Sequence, residues 1–192
     1  MKADSAKDSE VAEPPRCVAL IGFRGTGKSA VGRRLAQRLG WTWIDTDREI
    51  VRRSGQTIAQ LFASSGESGF RDWESQVLAD LPVDRSRVVS LGGGAILRAE
   101  NRERVCGWGP VVWLQADADT LEKRIAGDPS SSQDRPRLSD LALRDEIRQK
   151  LLEREPLYRE CATWRLDTGR LSVDRVVSQI VKLLQSGAGN RE

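Results

Sequence analysis

The chain has 192 residues, 39% of them apolar and 31% charged, with a formal charge of +3. That length fits one domain with a sizeable core. Arginines interspersed with carboxylates along the whole chain argue against a dedicated nucleic-acid surface. Histidine is absent, which excludes imidazole acid–base chemistry and histidine metal sites. Cys17, Cys106 and Cys161 are scattered and form no CxxC pair, so neither zinc nor a disulfide framework is indicated. The cysteine usage points to a reducing, cytoplasmic compartment, and no apolar run reaches the length of a membrane span.

Residues 1–15 are polar and charged, end in Pro14-Pro15 and lack the apolar core of a signal peptide, so they read as a disordered tail. Residues 16–186 read as one domain and 187–192 as a flexible end. Cys17-Val18-Ala19-Leu20-Ile21 is apolar on both faces, as a central parallel strand is. Gly22-Phe23-Arg24-Gly25-Thr26-Gly27-Lys28-Ser29 follows, and an amphipathic run, Val31 to Leu39, comes next. Strand, glycine loop and helix in that order make a phosphate-binding P-loop. Its glycines let several N–H groups turn inward, and the helix N-terminus adds partial positive charge. Lys28 can then reach the β- and γ-phosphates of a nucleotide, and the Ser29 hydroxyl can ligate Mg²⁺. What the phosphate is transferred to is left open by this loop.

Trp41 to Ile44 predicts a second strand running into Asp45-Thr46-Asp47, and Arg48 to Arg53 a short helix. Thr57 and Gln60 form a capping box for another helix, which Gly66 breaks; Glu67 to Leu81 is then a further helix, closed by Pro82. Arg87 to Leu91 is a third strand, followed at once by Gly92-Gly93-Gly94. A helix around 98–105, a strand over 110–115 and a helix over 117–126 come next. Residues 127–137 have almost no apolar content and predict a mobile surface loop, about 127–138. Ser139 to about Tyr158 predicts a long helix with Leu141, Ile147, Leu151 and Leu152 inside, kinked or ended by Pro156. Thr163 to Leu166 is the fifth strand, and Ser172 caps a last helix carrying Val173, Val176, Val177, Ile180, Val181 and Leu184. Five strands alternating with helices define an α/β fold of three layers, a parallel sheet with helices on both faces. Trp41, Trp43 and Trp113 read as core or strand-edge residues rather than a base-stacking platform.

Three constellations carry chemistry. Asp45 and Asp47 lie two apart at a strand end, so strand periodicity puts both on one face at the sheet edge where ligands of α/β folds collect. Two carboxylates so close need cations, and Mg²⁺ for Asp45 with an arginine for Asp47 would meet that need. Arg71, Arg135, Arg137 and Arg154 are candidate anion clamps. The triple glycine calls for close approach of a ligand to the backbone.

These features together closely resemble the shikimate kinases, over residues 18–184. The resemblance rests on Gly22–Ser29, Asp45-Thr46-Asp47, Gly66-Glu67 with Phe70-Arg71, Ser90-Leu91-Gly92-Gly93-Gly94, Arg135-Pro136, Arg154 with Pro156-Leu157-Tyr158, and Asp167-Thr168. It implies the sheet order 2-3-1-4-5, a lid that moves against the core, and transfer of phosphate from ATP to the 3-hydroxyl of shikimate in aromatic amino acid biosynthesis. It implies ATP binding by Gly25, Thr26, Gly27, Lys28, Ser29 and Ala30, with Arg124 and Arg170 near the adenine and Arg135 swinging in towards the phosphates. It implies Mg²⁺ held at Ser29 and Asp45. Shikimate would be held by Asp47, Arg71, Gly93, Gly94 and Arg154, in a pocket shaped by Phe62, Glu67, Phe70 and Glu74. Lys28, Asp47 and Arg135 would be the catalytic set, with Asp47 able to act as base. The implied partners are these two small molecules alone, with no nucleic acid and no membrane, and the expected state is a monomer. Another small-molecule kinase on the same fold, such as a gluconate or nucleotide kinase, and a non-enzymatic nucleotide-binding or nucleic-acid-binding module are the rival readings. Three features depart from the family pattern: a longer lid, Arg137 where an apolar residue is common, and Phe23-Arg24 where a small residue or methionine is common. Arg24 could therefore affect nucleotide affinity.

Overall fold

The computed structural model describes residues 17–83, 86–128 and 142–186. Five parallel strands form one sheet: β1 (Cys17–Ile21), β2 (Thr42–Asp45), β3 (Arg87–Ser90), β4 (Val111–Gln115) and β5 (Trp164–Asp167). Their order is β2-β3-β1-β4-β5, the order the resemblance implies. Seven helices lie among the described residues: α1 (Lys28–Leu39), α2 (Thr46–Ser54), α3 (Ile58–Asp80), α4 (Ala99–Cys106), α5 (Ala118–Ala126), α6 (Leu143–Cys161) and α7 (Val173–Gln185).

Strand period explains the three layers. In β1, Cys17, Ala19 and Ile21 enter one core with Ile50, Leu61, Phe70, Val77, Leu78 and Tyr158. Val18 and Leu20 point the other way, to Val31, Leu35, Val176, Val177 and Ile180 of α1 and α7. β4 divides likewise, Val111 and Trp113 to the first core, Val112 and Leu114 to the second. Both faces of the central strands are thus covered, which is why they read as unbroken apolar runs. A third, smaller cluster of Phe23, Leu121, Ile125 and Ile147 packs beside the glycine loop.

Local signals place several boundaries as expected. Thr57 accepts from Gln60 N–H while Gln60 reaches back to Thr57 N–H, completing the capping box. Gly66 interrupts α3 with φ 68° and ψ −173°, a conformation that favours glycine. Ser172 caps α7 by accepting from Arg175 N–H.

Other boundaries differ. α2 begins at Thr46 rather than Arg48, because the Asp45 side chain accepts from the N–H groups of Asp47 and Arg48 and caps the helix there. Asp45 and Asp47 are therefore a cap and a first-turn residue, not two residues on one strand face. α6 passes through Pro156 and runs on to Cys161, its buried set being Glu146, Ile147, Arg154, Tyr158 and Cys161. That set repeats at helical spacing and leaves Leu152 on the opposite face, 74% exposed instead of inside. Val173 is likewise exposed at the start of α7. Leu141, the tails at 1–15 and 187–192, and the expected lid beyond Asp128 lie outside the described residues.

Candidate active site

The C-terminal ends of β1, β2 and β3 open onto two adjoining cavities. The outer one, with an empty volume of about 1950 Å³ including its mouth, is lined by Gly25, Gly27, Lys28, Ser29, Ala30, Asp45 and Arg124, among others. The inner one, about 510 Å³ on the same measure, is lined by Phe62, Phe70, Arg71, Glu74, Gly94 and Arg154. Arg24, Asp47 and Gly93 line both.

The outer cavity is shaped by backbone. Gly22, Gly25 and Gly27 all have positive φ, at 138°, 82° and 89°. A Cβ at Gly22 would run into the Leu114 carbonyl of β4, so only glycine lets the loop leave β1 there. Lys28 Nζ donates to the carbonyls of Gly22 and Phe23, 2.8 Å each, which holds the ammonium across the loop. Thr26 Oγ1 donates to Phe23 O at 2.8 Å, and its own carbonyl accepts from Thr168 Oγ1 at 3.1 Å. Arg124 closes the loop from α5: Nη1 donates to Gly25 O and Thr168 Oγ1, and Nη2 to Thr168 O at 2.7 Å. On the far side Trp43 Nε1 donates to Ser90 Oγ, which donates to Lys28 O. Asp167 and Thr168 thus end β5 beside the loop, while Arg170 is exposed beyond them and does not line either cavity.

Ser29 Oγ donates to Asp45 Oδ2 at 2.6 Å. A hydroxyl and a carboxylate oxygen converging beside the loop are hard oxygen donors of the kind Mg²⁺ takes. No cluster of three acidic, cysteine or histidine ligands occurs among the described residues. An ion held at this pair would complete its shell with water and phosphate oxygens, as Mg²⁺ ordinarily does.

The inner cavity is shaped by buried side chains. Arg71, from the second half of α3, donates to Glu74 at 2.5 Å and to Glu67 at 2.8 Å. Burial works to lower the Arg71 pKa, but the two carboxylates outweigh it and hold it above the ordinary arginine value. The hydrogen bond from Arg71 in turn holds Glu67 below the usual carboxylate range. Phe62 and Phe70 stack at 4.7 Å and wall the cavity across the Gly66 break. Arg154 Nη1 and Tyr158 Oη, one turn apart on α6, both donate to Gly93 O, at 3.1 and 2.6 Å. A trans peptide whose carbonyl faces α6 points the Gly94 N–H the opposite way. A Cβ at Gly94 would collide with the Arg71 guanidinium, and one at Gly92 would lie 2.6 Å from Asp47 Oδ1 and 2.8 Å from Glu74 Oε1. The triple glycine therefore makes room for neighbouring side chains as well as for a ligand.

The structure gathers Asp47, Arg71, Gly93, Gly94 and Arg154 around one cavity, and Gly25, Gly27, Lys28, Ser29, Ala30, Asp45 and Arg124 around the other. Thr26 is buried beneath the loop. Arg135 and Arg137 lie outside the described residues. Glu67 does not line the inner cavity but binds Arg71 there, at 2.8 Å. Sequence reasoning gave no role to Tyr158 or to the buried Glu146 of α6, which meets Arg24. The Arg154–Tyr158 spacing of four on a helix was the signal available for Tyr158.

Comparison with known proteins adds a family context to this geometry. A model of the shikimate kinase family matches residues 24–185. The shikimate kinase of Rhodopirellula baltica is 38% identical over 178 residues, covering 93% of this chain and 95% of that protein. That of Symbiobacterium thermophilum is 41% identical over 168 residues, covering 88% and 95%. Among solved structures, shikimate kinase from Acinetobacter baumannii in complex with shikimate superposes with a TM-score of 0.84 at 36% identity, covering 91% of this chain and 96% of that one.

Proposed function

The chain belongs to the shikimate kinase family, and we propose a division of labour between its two cavities. The activity is ATP-dependent phosphorylation of the 3-hydroxyl of shikimate, giving shikimate 3-phosphate and ADP, a step of chorismate and aromatic amino acid biosynthesis. ATP takes the outer cavity and shikimate the inner one. The observation that carries this assignment is the shared wall: Asp47 and Gly93 face both cavities, so an acceptor hydroxyl beside them stands next to the end of a nucleotide on the P-loop.

Each group then has one task. Phosphate oxygens are stronger acceptors than the two loop carbonyls, so Lys28 turns from Gly22 O and Phe23 O to the β- and γ-phosphates. Ser29 and Asp45 hold Mg²⁺, which supplies charge neutralisation at the phosphates when bound. Gly25, Thr26, Gly27 and Ala30 contribute the loop and helix N-terminus, and Arg124 braces the loop beside the base; Arg135, outside the described residues, is assigned to the phosphates on the family resemblance alone, and Arg170, exposed on the β5 turn, lines neither cavity. Arg71 and Arg154 take the shikimate carboxylate, one aimed by Glu74 and Glu67, the other by Gly93. Asp47 accepts from the ring hydroxyls and receives the proton of the attacking one. Positioning and cationic charge dominate such a transfer, because its loose transition state needs little covalent help; proton removal is the smaller contribution.

The enzyme works as a monomer in the cytoplasm, on small molecules alone; no helix among the described residues is long and apolar enough to cross a membrane. ADP release coupled to a reporter reaction tests the whole reading. Shikimate with Mg²⁺-ATP should sustain about 1–100 turnovers per second, the usual kinase range. Gluconate and nucleoside monophosphates should sustain none; turnover on either, with none on shikimate, would overturn the acceptor assignment.

A further inference from the structure

Arg24 and Glu146 stand out because neither is accounted for by the roles above. Arg24 sits between the P-loop glycines and lines both cavities. Its Nη2 lies 3.3 Å from Glu146 Oε1 in the first turn of α6. The Glu146 side chain is 1% exposed, and its Oε2 has no hydrogen-bond partner among the described residues. A buried ion pair kept for stability would satisfy both carboxylate oxygens, because a half-satisfied buried charge costs more than it returns. Among the described residues Glu146 has one such contact, at 3.3 Å. Its neighbours are nonetheless firmly placed: Phe23 packs on Ile147 and lies under the Arg154 guanidinium at 5.5 Å, and Arg154 and Tyr158 of the same helix hold Gly93. The arrangement is that of an aimed cation: α6 brings one buried carboxylate to the seam of the two cavities, and the cation it meets there among the described residues is on the P-loop.

Building on the assignment of ATP and shikimate to these cavities, we propose that Arg24 is a further catalytic residue, contacting the phosphoryl group as it crosses the seam, and that Glu146 is a positioning residue acting through it. In the transfer the shikimate 3-oxygen forms a bond to the γ-phosphorus while the bond from that phosphorus to the bridging oxygen of ADP breaks. The hydroxyl proton goes to Asp47. Arg24 exchanges no atom or proton; it faces the equatorial oxygens, where charge accumulates during transfer. Lys28 serves the same charge from the nucleotide side. Arg24 serves it from the acceptor side, and Glu146 keeps its guanidinium from folding onto the shikimate carboxylate site instead.

The test is steady-state kinetics of R24M/E146Q, E146Q and R24K beside the unaltered enzyme, with thermal unfolding and ADP binding measured on each. R24M alone leaves Glu146 charged and buried without Arg24, so the double variant, which removes both charges together, carries the test of Arg24. R24M/E146Q should lose about 100-fold in kcat, the effect of one preorganised donor to transition-state charge, with ADP affinity within about threefold of the original. R24K should recover part of that loss. E146Q should lower kcat about tenfold, leave the KM for ATP alone and keep the unfolding temperature. Retained kcat in R24M/E146Q overturns the role of Arg24. A fall in unfolding temperature with kcat kept in E146Q reduces Glu146 to a structural residue. If the unaltered enzyme turns over shikimate and the variants match it, this proposal alone fails; if it does not turn over shikimate, the functional reading fails first.

Discussion

The P-loop side of the outer cavity comes from one contiguous stretch, Gly22 to Ser29, whereas the inner cavity is lined mainly by residues of α2, α3, α6 and the loop after β3. On the proposed reading the first offers N–H groups and one lysine to phosphate. The second buries Arg71, Glu74 and Arg154 at 9%, 1% and 6% exposure, pairing Arg71 with Glu74 and Arg154 with the Gly93 carbonyl. On the division of labour proposed above, the general part of the reaction rests on a local conformation, and the selective part on a network that exists only when separate elements meet. A buried polar network discriminates strongly, because a ligand lacking the matching group leaves charges unpaired.

Substitutions in the two cavities should therefore separate cleanly. The largest effect belongs to Lys28→Met, which removes transition-state charge at the phosphates; kcat should fall about 1000-fold or more in the ADP-release assay. Arg71→Ala should act on the acceptor side only. Losing one partner of a desolvated charge pair costs about 2–5 kcal/mol, so the KM for shikimate should rise by about 30-fold or more while ATP binding, followed calorimetrically, holds. Equal loss of both affinities would break the distinction between the cavities. Asp47→Asn, on the shared wall, should lower kcat and raise the shikimate KM together, each by about 10–100-fold. Arg124→Met releases the brace between Gly25 O and Thr168, and should raise the KM for ATP severalfold without touching that for shikimate.

The smallest effect is on stability. Burial pushes the Tyr158 phenol up to about 12, against an opposing influence of Arg154. The neutral form is the one favoured in the fold. Its contribution is fully present below the ordinary phenol value near 10 and is lost as pH rises through about 12. Tyr158→Phe should cost about 1–2 kcal/mol at neutral pH, through the lost bond to Gly93 O, and should flatten the fall in unfolding temperature at alkaline pH. An unchanged alkaline profile would show that Tyr158 does not report on the wall of the acceptor cavity.

How much was legible follows the same division. The glycine loop, the capping box at Thr57, the Gly66 break and the apolar strands could be read because each depends on residues within a few positions of one another. The expected second helix began too late because the strand end was read on through Asp47, whereas Asp45 is both the last residue of β2 and the N-cap of α2, in the extended backbone that both roles share. Pro156 was read as a kink or stop; α6 continues through it, with Tyr158 and Cys161 buried in the turn beyond. Leu152 was placed inside because several apolar residues share that helix, and only packing shows which face is turned inward.

By itself the sequence determined the α/β class, the phosphate-binding loop and, through an ordered set of motifs, the family. Those depend on local backbone preference and on apolar periodicity, which are properties of short windows. The tertiary structure decided which arginines face which carboxylates, that Gly92 and Gly94 make room for Asp47, Glu74 and Arg71, and that Arg24 meets Glu146 across 122 positions of chain. Such contacts arise from how the sheet and α6 are brought together, and electrostatics between buried groups acts over a few ångströms of space with no regard to distance in sequence.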